Sequence, residues 1–401
     1  MRTRSRSKLL IALAAPSLWA CSLITSLDNL QPDASTDAGT DSAVDVSVPK
    51  DAGDASTATD GGDAAVPPGV FTALHAGGSQ AFSASGAHVC AVGGIERALY
   101  CWGANDHGQL GLGSTGNGTA STDKSTPTKI ATNSNSQPFT AVDEFALGAW
   151  HTCARVASEL YCWGQRVSGA VGDGTFGTDQ TSPLGVMGFA TPNIALGMGH
   201  TCMIGGKFGN LLCWGVNHSE QLGHALNTAN DVPCTPFFDS TNAYCAPSSS
   251  TASINMGALT ISAGVLHTCA IVASGQVQCW GYNGERATGA QGNPTASTPT
   301  PITVQTAVNV PLAGVTQLSS TGRHNCVIRM PGNTVWCWGQ NDAGQAGQAP
   351  VNGFPLATQV PNVLASLVAV GERATCAVLT PSTEVVCWGD DTFGQLGDGA
   401  K

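Results

Sequence analysis

Charge and aromatic rings are both scarce in this sequence: 11% of its 401 residues are Asp, Glu, Lys or Arg, and 6% are Phe, Trp or Tyr. So few charges exclude an architecture of long solvent-exposed helices, whose outer faces need Glu, Lys, Arg and Gln. Sixteen bases against 27 acids, with no basic patch in the folded part, argue against duplex nucleic acid, and no nucleic-acid partner is expected. Catalytic signatures are absent as well: no Gly-x-Ser-x-Gly, no His-Glu-x-x-His, no P-loop and no sialidase-type Asp box. What is plentiful is Gly, at 50 residues, and Cys, at 15. Gly at that density favours many short strands joined by tight turns.

The first 21 residues read as an export signal. Arg2, Arg4, Arg6 and Lys8 precede the apolar run Leu9–Ala20, which is shorter than the ~20 residues of a membrane span. Cys21 follows Leu18-Trp19-Ala20, which resembles the lipobox of bacterial lipoproteins and makes Cys21 the expected acylated first residue. Ordinary signal cleavage beside an incidental Cys is the alternative. Residues 22–68 form an Asp/Ala/Ser/Thr-rich stretch; positions 28–63 hold nine Asp against one Lys. It lacks the apolar area to offset chain entropy and is expected to be a disordered tether. A random coil of that length reaches about 35 Å. The expected location is the cell envelope, with the protein anchored at the outer membrane through its N-terminal lipid alone.

Residues 69–401 repeat one unit. Cys-Trp-Gly recurs at Cys101, Cys162, Cys213, Cys279, Cys337 and Cys387, and a Gly follows each Trp by nine residues: Gly111, Gly172, Gly223, Gly289, Gly347 and Gly397. A second Cys precedes each motif, giving the pairs Cys90/Cys101, Cys153/Cys162, Cys202/Cys213, Cys269/Cys279, Cys326/Cys337 and Cys376/Cys387. Separations of 9 to 11 with turn residues midway describe two strands joined by a short hairpin. The two sulfurs then face each other across a non-hydrogen-bonded pair, with Cα atoms about 4.5 Å apart, within disulfide reach. Each bridge of this loop size stabilises by roughly 2.5–3 kcal/mol. Zinc ligation is disfavoured, because zinc pairs are spaced by two to four residues.

These repeats, with His-x-Cys-Ala, Cys-Trp-Gly-x-Asn, Gly-Gln-Leu-Gly (Gly108–Gly111, Gly394–Gly397) and Ser-Thr-Pro (Ser125–Pro127), resemble repeats of the regulator-of-chromosome-condensation type. The Cys-rich form resembles an exported bacterial branch, carried as lipoproteins. The resemblance implies an all-β fold, a six- or seven-bladed β-propeller with a disulfide in each hairpin. Six motif copies point to six blades. The last copy lacks a following Thr-Pro strand, so residues 69–75 are expected to close the ring against the final blade.

His88, His151, His200, His267 and His324 stand two residues before the first Cys, with Ala374 in the sixth copy. A repeated slot that tolerates Ala is structural before it is metal-binding or catalytic, and the repeated Trp residues are expected to pack blades. Cys234 and Cys245 close an insertion that displays Phe237, Phe238 and Tyr244, read either as partner contacts or as side chains packed on their own blade. Residues 173–179 scatter oxygen groups without the order of a calcium loop. No metal and no cofactor are implied.

The functional expectation is a non-catalytic binding or scaffolding module, a monomer, with a protein or glycan ligand at the propeller loops. The resemblance brings alternatives: a guanine-nucleotide-exchange-like regulator, or an inhibitor of a secreted enzyme. A hydrolase or lyase hidden in the central funnel is a further reading. The pairing makes one direct prediction. Titration of denatured, unreduced protein should find none of the fourteen Cys from Cys90 to Cys387 free, and a dozen free thiols would contradict both hairpins and export.

Overall fold

The computed structural model describes residues 71–77, 87–115, 122–188, 193–205, 210–228, 231–234, 244–251, 257–291, 296–392 and 394–397. The signal segment, Cys21, the tether, Phe237 and Phe238 lie outside these residues.

Among the described residues the fold is all-β, with no α-helix. The first sheet runs β1 (Phe71–Gly77), β2 (His88–Gly93), β3 (Ala98–Gly103), β4 (Lys124–Lys129), each strand antiparallel to the next. The pattern returns in β5 (Val142–Leu147), β6 (His151–Val156), β7 (Glu159–Gly164), β8 (Gln180–Gly188). The third sheet comprises β9 (Ile194–Leu196), β10 (His200–Gly205), β11 (Asn210–Val216), β13 (Tyr244–Thr251) and the short edge strand β12 (Val232–Pro233). The fourth is β14 (Ala258–Ala263), β15 (His267–Val272), β16 (Val277–Gly281), β17 (Thr298–Thr303), followed by a small ribbon, β18 (Gln305–Ala307) and β19 (Val310–Pro311).

The fifth sheet has six strands: β20 (Val315–Ser320), β21 (His324–Arg329), β22 (Thr334–Asn341), β23 (Val351–Val370), β24 (Ala374–Leu379) and β25 (Val385–Gly389). Strand β23 pairs with β22 through its first part, to Leu364, and with β24 from Ala365 onward. Six Cys-Trp hairpins thus occupy five sheets of four or more strands. First strands stand side by side in the order β1, β5, β9, β14, β20, β23, as blades around an axis do.

All six hairpins carry the expected bridge. Their Cα–Cα distances are 4.1 to 4.2 Å, the spacing of non-hydrogen-bonded pairs. Turn lengths follow the Cys separation: two residues, Ala157 and Ser158, lie between β6 and β7 where the separation is 9. Where it is 10, Val272 N–H bonds Gln276 O around Ala273-Ser274-Gly275. The seventh bridge, Cys234–Cys245, differs, with a Cα–Cα distance of 5.8 Å. It ties the insertion to the start of β13.

One expectation is overturned. Residues 71–77 do not close the final blade; they pair along their length with β2, Phe71 opposite Gly93 and Gly77 opposite His88. They form the first strand of the first sheet. The apolar alternation of this strand suits a blade's inner position as well as an outer one, and only the register distinguishes them.

Neighbouring blades are joined by one repeated set of contacts. The carbonyl of Gln109 accepts Trp163 Nε1–H at 2.9 Å and Thr152 Oγ1–H at 2.8 Å from the next blade. The same geometry recurs on Ala170 O (Trp214, Thr201), Gln221 O (Trp280, Thr268), Ala287 O (Trp338, Asn325 Nδ2) and Gln345 O (Trp388, Thr375). Apolar packing surrounds it: Cys90, Leu99, Cys101, Leu110 and Ile130 of the first sheet bury against Val142, Phe145 and Trp163 of the second. Gly111, at φ +73°, lies so near that a Cβ would sit 2.7 Å from Trp163 Nε1, which is why the turn ends on Gly.

On the side of the first sheet that faces away from the second this burial thins. Leu74 is 42% exposed, whereas Phe145, Ile194, Ile261, Leu318 and Val368, at the equivalent register, are 0 to 8% exposed. Trp102 is half-buried, whereas Trp163, Trp214, Trp280 and Trp338 are fully buried. Trp280→Phe, which removes one of two donors to Gln221 O, should therefore destabilise by about 1–2 kcal/mol. Trp102→Phe should cost less than half as much in the same denaturant titration; equal costs would contradict the packing described.

Candidate functional site: the turn-bearing face

Strand order places all the Gly-Gln-Leu-Gly-type turns on one face. Gly77 opposes His88 and His88 opposes Gly103, so the end of each first strand, the start of the His strand and the turn after Cys-Trp-Gly lie together. The insertion closed by Cys234–Cys245 falls on this face too, because Cys245 opposes Val216 at the end of β11.

Four of the six turns are held by an Asn that follows the Cys-Trp-Gly motif; the second copy has Arg166 in that position. Asn105 Oδ1 accepts Leu110 N–H at 3.0 Å, and Asn217, Asn283 and Asn341 do the same for Leu222, Thr288 and Ala346. Asp391 takes this role in the last copy, on Leu396 N–H at 2.9 Å. The side-chain oxygen replaces a backbone partner and fixes the turn without regular structure. The turn then aims its carbonyl at the next blade. The recurrence of Cys-Trp-Gly-x-Asn is visible in the sequence, but its role as a turn brace is not.

The five His residues lie beneath the turns. Nε2 of His88, His151, His200 and His324 meets Thr152, Thr201, Thr268 and Thr375 of the next blade at 2.7 to 3.1 Å, and His267 meets Asn325 Oδ1 at 2.7 Å. Each Thr hydroxyl already donates to a turn carbonyl, so its oxygen accepts and His Nε2 carries the proton. Asn325 repeats this logic: its Nδ2 donates to Ala287 O, which leaves Oδ1 to accept. These imidazoles are structural links between blades, as the sequence suggested. Burial lowers the pKa of His151, His200 and His324 to about 3 and that of His267 to about 4. Nδ1 of His200 and of His324 has no partner, so protonation would bury an unpaired N–H.

Ion pairs line the rim of the face. Arg373 bonds Asp342 of the preceding turn at 2.9 Å and Asp390 at 3.2 Å, Arg323 bonds Glu285 at 3.2 Å, and His107 bonds Asp179 at 2.8 Å. Asp173 and Asp179, weighed above as oxygen ligands, are both engaged: Arg166 and the Thr175 hydroxyl bind Asp173. No cluster of three or more metal-ligating side chains occurs among the described residues. Tyr244 is half-buried in β13, and its carbonyl accepts Asn217 N–H at 2.8 Å, so its backbone serves the blade.

At the axis, Gly77, Gly148, Gly197, Val265, Thr321 and Glu372, from six successive first-strand ends, surround a pit of about 30 Å³. That is room for about one water, against roughly 300–1,000 Å³ for a small-molecule site.

The described residues thus form a disulfide-pinned repeat propeller whose polar turns crowd one face. Comparison with known proteins specifies the repeat. The family model of the Regulator of chromosome condensation (RCC1) repeat matches residues 98–155, and a second model of that repeat matches 259–286 and 315–345. The ultraviolet-B receptor UVR8 of Arabidopsis thaliana is 29% identical over 281 residues, 69% of this chain and 56% of the receptor. Human E3 ubiquitin-protein ligase HERC2 is 25% identical over 71% of this chain, a stretch that is 5% of the ligase. The chain therefore spans about half of one relative and a small part of the other. Among solved structures, Prp20p of Saccharomyces cerevisiae, a yeast RCC1, superposes with a TM-score of 0.61 at 19% identity, covering 83% of this chain and 74% of that one. Three stretches of the chain thus match RCC1-repeat models, and the described fold is similar to that of an RCC1 propeller.

Buried neutral imidazoles make stability depend on pH. Unfolded His titrates near 6.5, and the buried ones near 3 to 4. Below about pH 6.5 the unfolded chain therefore takes up protons that the folded chain refuses. Melting temperature should be level above pH 6.5 and fall steadily toward pH 4. A flat profile across that window would contradict the buried, neutral assignment.

Proposed function

We propose that this protein is an exported lipoprotein whose six hairpins build six blades of one ring and whose turn-bearing face binds a macromolecular partner without catalysis. The observation that carries the reading is the contrast between a braced polar face and an axial pit the size of one water. Binding must then occur across the face, as it does for proteins and glycan chains, rather than in a substrate pocket. Seven disulfides support a location outside the reducing cytosol. The apolar run before Cys21 supports export and a lipid anchor. The chain acts as a monomer, its membrane anchor is the lipid alone, and Phe237 and Phe238 on the stapled insertion are its contact residues. Similarity to Prp20p, whose structure was reported with its binding to Gsp1p and histones, supports protein over glycan as the partner. Exchange activity on a cytosolic GTPase is set aside by export.

Two measurements test the reading. Mass spectrometry of the mature chain should find Cys21 N-terminal and acylated; an unmodified peptide beginning elsewhere refutes the anchor. A Cys21→Ser variant, soluble and otherwise complete, should retain one stoichiometric protein from envelope extracts, and Phe237→Ser/Phe238→Ser should weaken that capture at least tenfold. Turnover of a polysaccharide panel by the same protein would replace the binding reading with an enzymatic one.

A further inference from the structure

Equivalent positions of the repeat carry different chemistry at the hairpin ends of the sheets, the face opposite the turns. Five first strands bulge near their start, and the bulged residue is Thr72, Asp143, Thr316 or Ser366, but Leu259 in the fourth sheet. The three hydroxyls donate to Val92 O, Ile328 O and Val378 O at 3.4 Å, and Asp143 accepts Ala157 N–H at 3.1 Å. Leu259 gives up such a bond and stands 56% exposed. The connecting ribbons differ in the same way. Phe139 N–H bonds Ala131 O to close the ribbon between the first and second sheets, and Leu312 N–H bonds Val304 O to close the one between the fourth and fifth. The first encloses Thr-Asn-Ser-Asn-Ser-Gln-Pro, residues 132–138; the second encloses Gln-Thr-Ala-Val-Asn-Val-Pro, residues 305–311.

Leu259, Val308, Val310, Met330 and Leu364 are 44 to 68% exposed in one sector of this face. Backbone bonds knit the sector together: Val315 N–H to Gly275 O, Met330 N–H to Gly314 O, Ala365 N–H to Asn333 O and Thr380 N–H to Leu364 O, at 2.7 to 3.0 Å. Charge avoids it. Across residues 257–260, 271–277, 303–317, 328–335, 361–367 and 378–385, only Arg329 and Glu384 are charged, and Arg329 lies over the Trp336 ring at 5.2 Å. The first two sheets instead carry the ion pairs Lys129–Glu96, Arg97–Asp143 and Arg155–Asp143 at this end, with Ile95 exposed beside them.

The same face receives the N-terminal segment. Phe71, the first described residue, opposes Gly93, the last residue of β2 before its hairpin. Cys21 and the residues after it therefore lead to the hairpin face, not to the turns. Uncharged aliphatic side chains suit a bilayer surface, where apolar groups sink about 5–10 Å to the acyl boundary and a charge is costly. Protein hot spots use Trp, Tyr and Arg instead, and the exposed apolar side chains of this sector include no aromatic ring.

We infer that the hairpin ends of the fourth and fifth sheets rest on the lipid bilayer that holds Cys21, with Leu259, Val308, Val310, Met330 and Leu364 at the acyl boundary. The inference rests on the lipid anchor proposed above and adds an orientation to it: the turn-bearing face points away from the bilayer, toward its partner.

Hydrogen exchange on the complete chain tests this. The acylated protein is reconstituted in phosphatidylcholine vesicles, with the Cys21→Ser variant free in solution as the reference. The bilayer should slow residues 306–310 on the order of tenfold and leave residues 133–137 and 106–110 as they are. Leu259→Ser/Val308→Ser should remove the slowing, and Ile95→Ser should not. Met330→Ser/Leu364→Ser replaces the first pair if that pair lowers the melting temperature. Unslowed residues 306–310 in the acylated protein overturn the inference and leave the anchor standing. An unacylated Cys21 removes the anchor; the Cys21→Ser variant with millimolar lipid then reads the sector alone, where slowing upholds the lipid contact and its absence overturns it. Slowing at residues 106–110 would turn the opposite face to the bilayer and overturn the orientation. So would a Cys21→Ser dimer that Leu259→Ser/Val308→Ser splits, because the sector would then meet a second copy.

Discussion

The structure depends on one backbone carbonyl per blade that receives two donors from the next. Gln109, Ala170, Gln221, Ala287 and Gln345 each accept an indole N–H and a hydroxyl or amide. A carbonyl has two lone pairs, and this arrangement satisfies both in a dry interface where an orphaned acceptor costs roughly 1–3 kcal/mol. The demand propagates outward. Asn braces the turn so that its carbonyl points correctly, Gly ends the turn so that the indole can approach, and His completes the chain from below. Blades therefore cannot slide past one another without breaking several buried hydrogen bonds at once.

Covalent bridges take up the other half of the problem. Each blade is a small sheet with few large apolar side chains, and a sheet of that size is marginal alone. The disulfide at the centre of each hairpin lowers the entropy of the unfolded chain and fixes the register at the position where neighbouring blades touch. The outcome for function is a face of loops anchored at both ends. Their backbone groups are engaged, so ligand binding would cost little ordering.

The sixth hairpin and the first sheet lack the polar ends of this relay. Deleting only His or only Thr would strand a buried polar group, yet Ala374 and Val89 remove both ends of one link. Replacing both partners by apolar groups is close to neutral, whereas replacing one is not. Leu74 and Trp102 of the first sheet are also less buried than their counterparts. Five equivalent joints thus connect the six hairpins in sequence.

Much of this was legible in residue order. The 9-to-11 spacing of Cys pairs determined the hairpins, their bridges and even the turn lengths, because strand pairing is local and sulfur geometry tolerates little error. The structural role of the repeated His followed from its periodicity and from Ala374. Their partners did not: Thr152 lies 64 residues beyond His88, and no local rule links positions so far apart. The Asn braces were visible as a recurrence but not as a function, and the ion pairs of Arg323 and Arg373 with the preceding turns were not visible at all. The position of residues 71–77 was misjudged because alternation tells which faces a strand buries, not which edge of which blade it joins. Sequence alone determined the unit and its staples. The tertiary structure decided the order of strands within each blade and the contacts between blades, since those depend on register between segments that meet only once the chain has closed on itself.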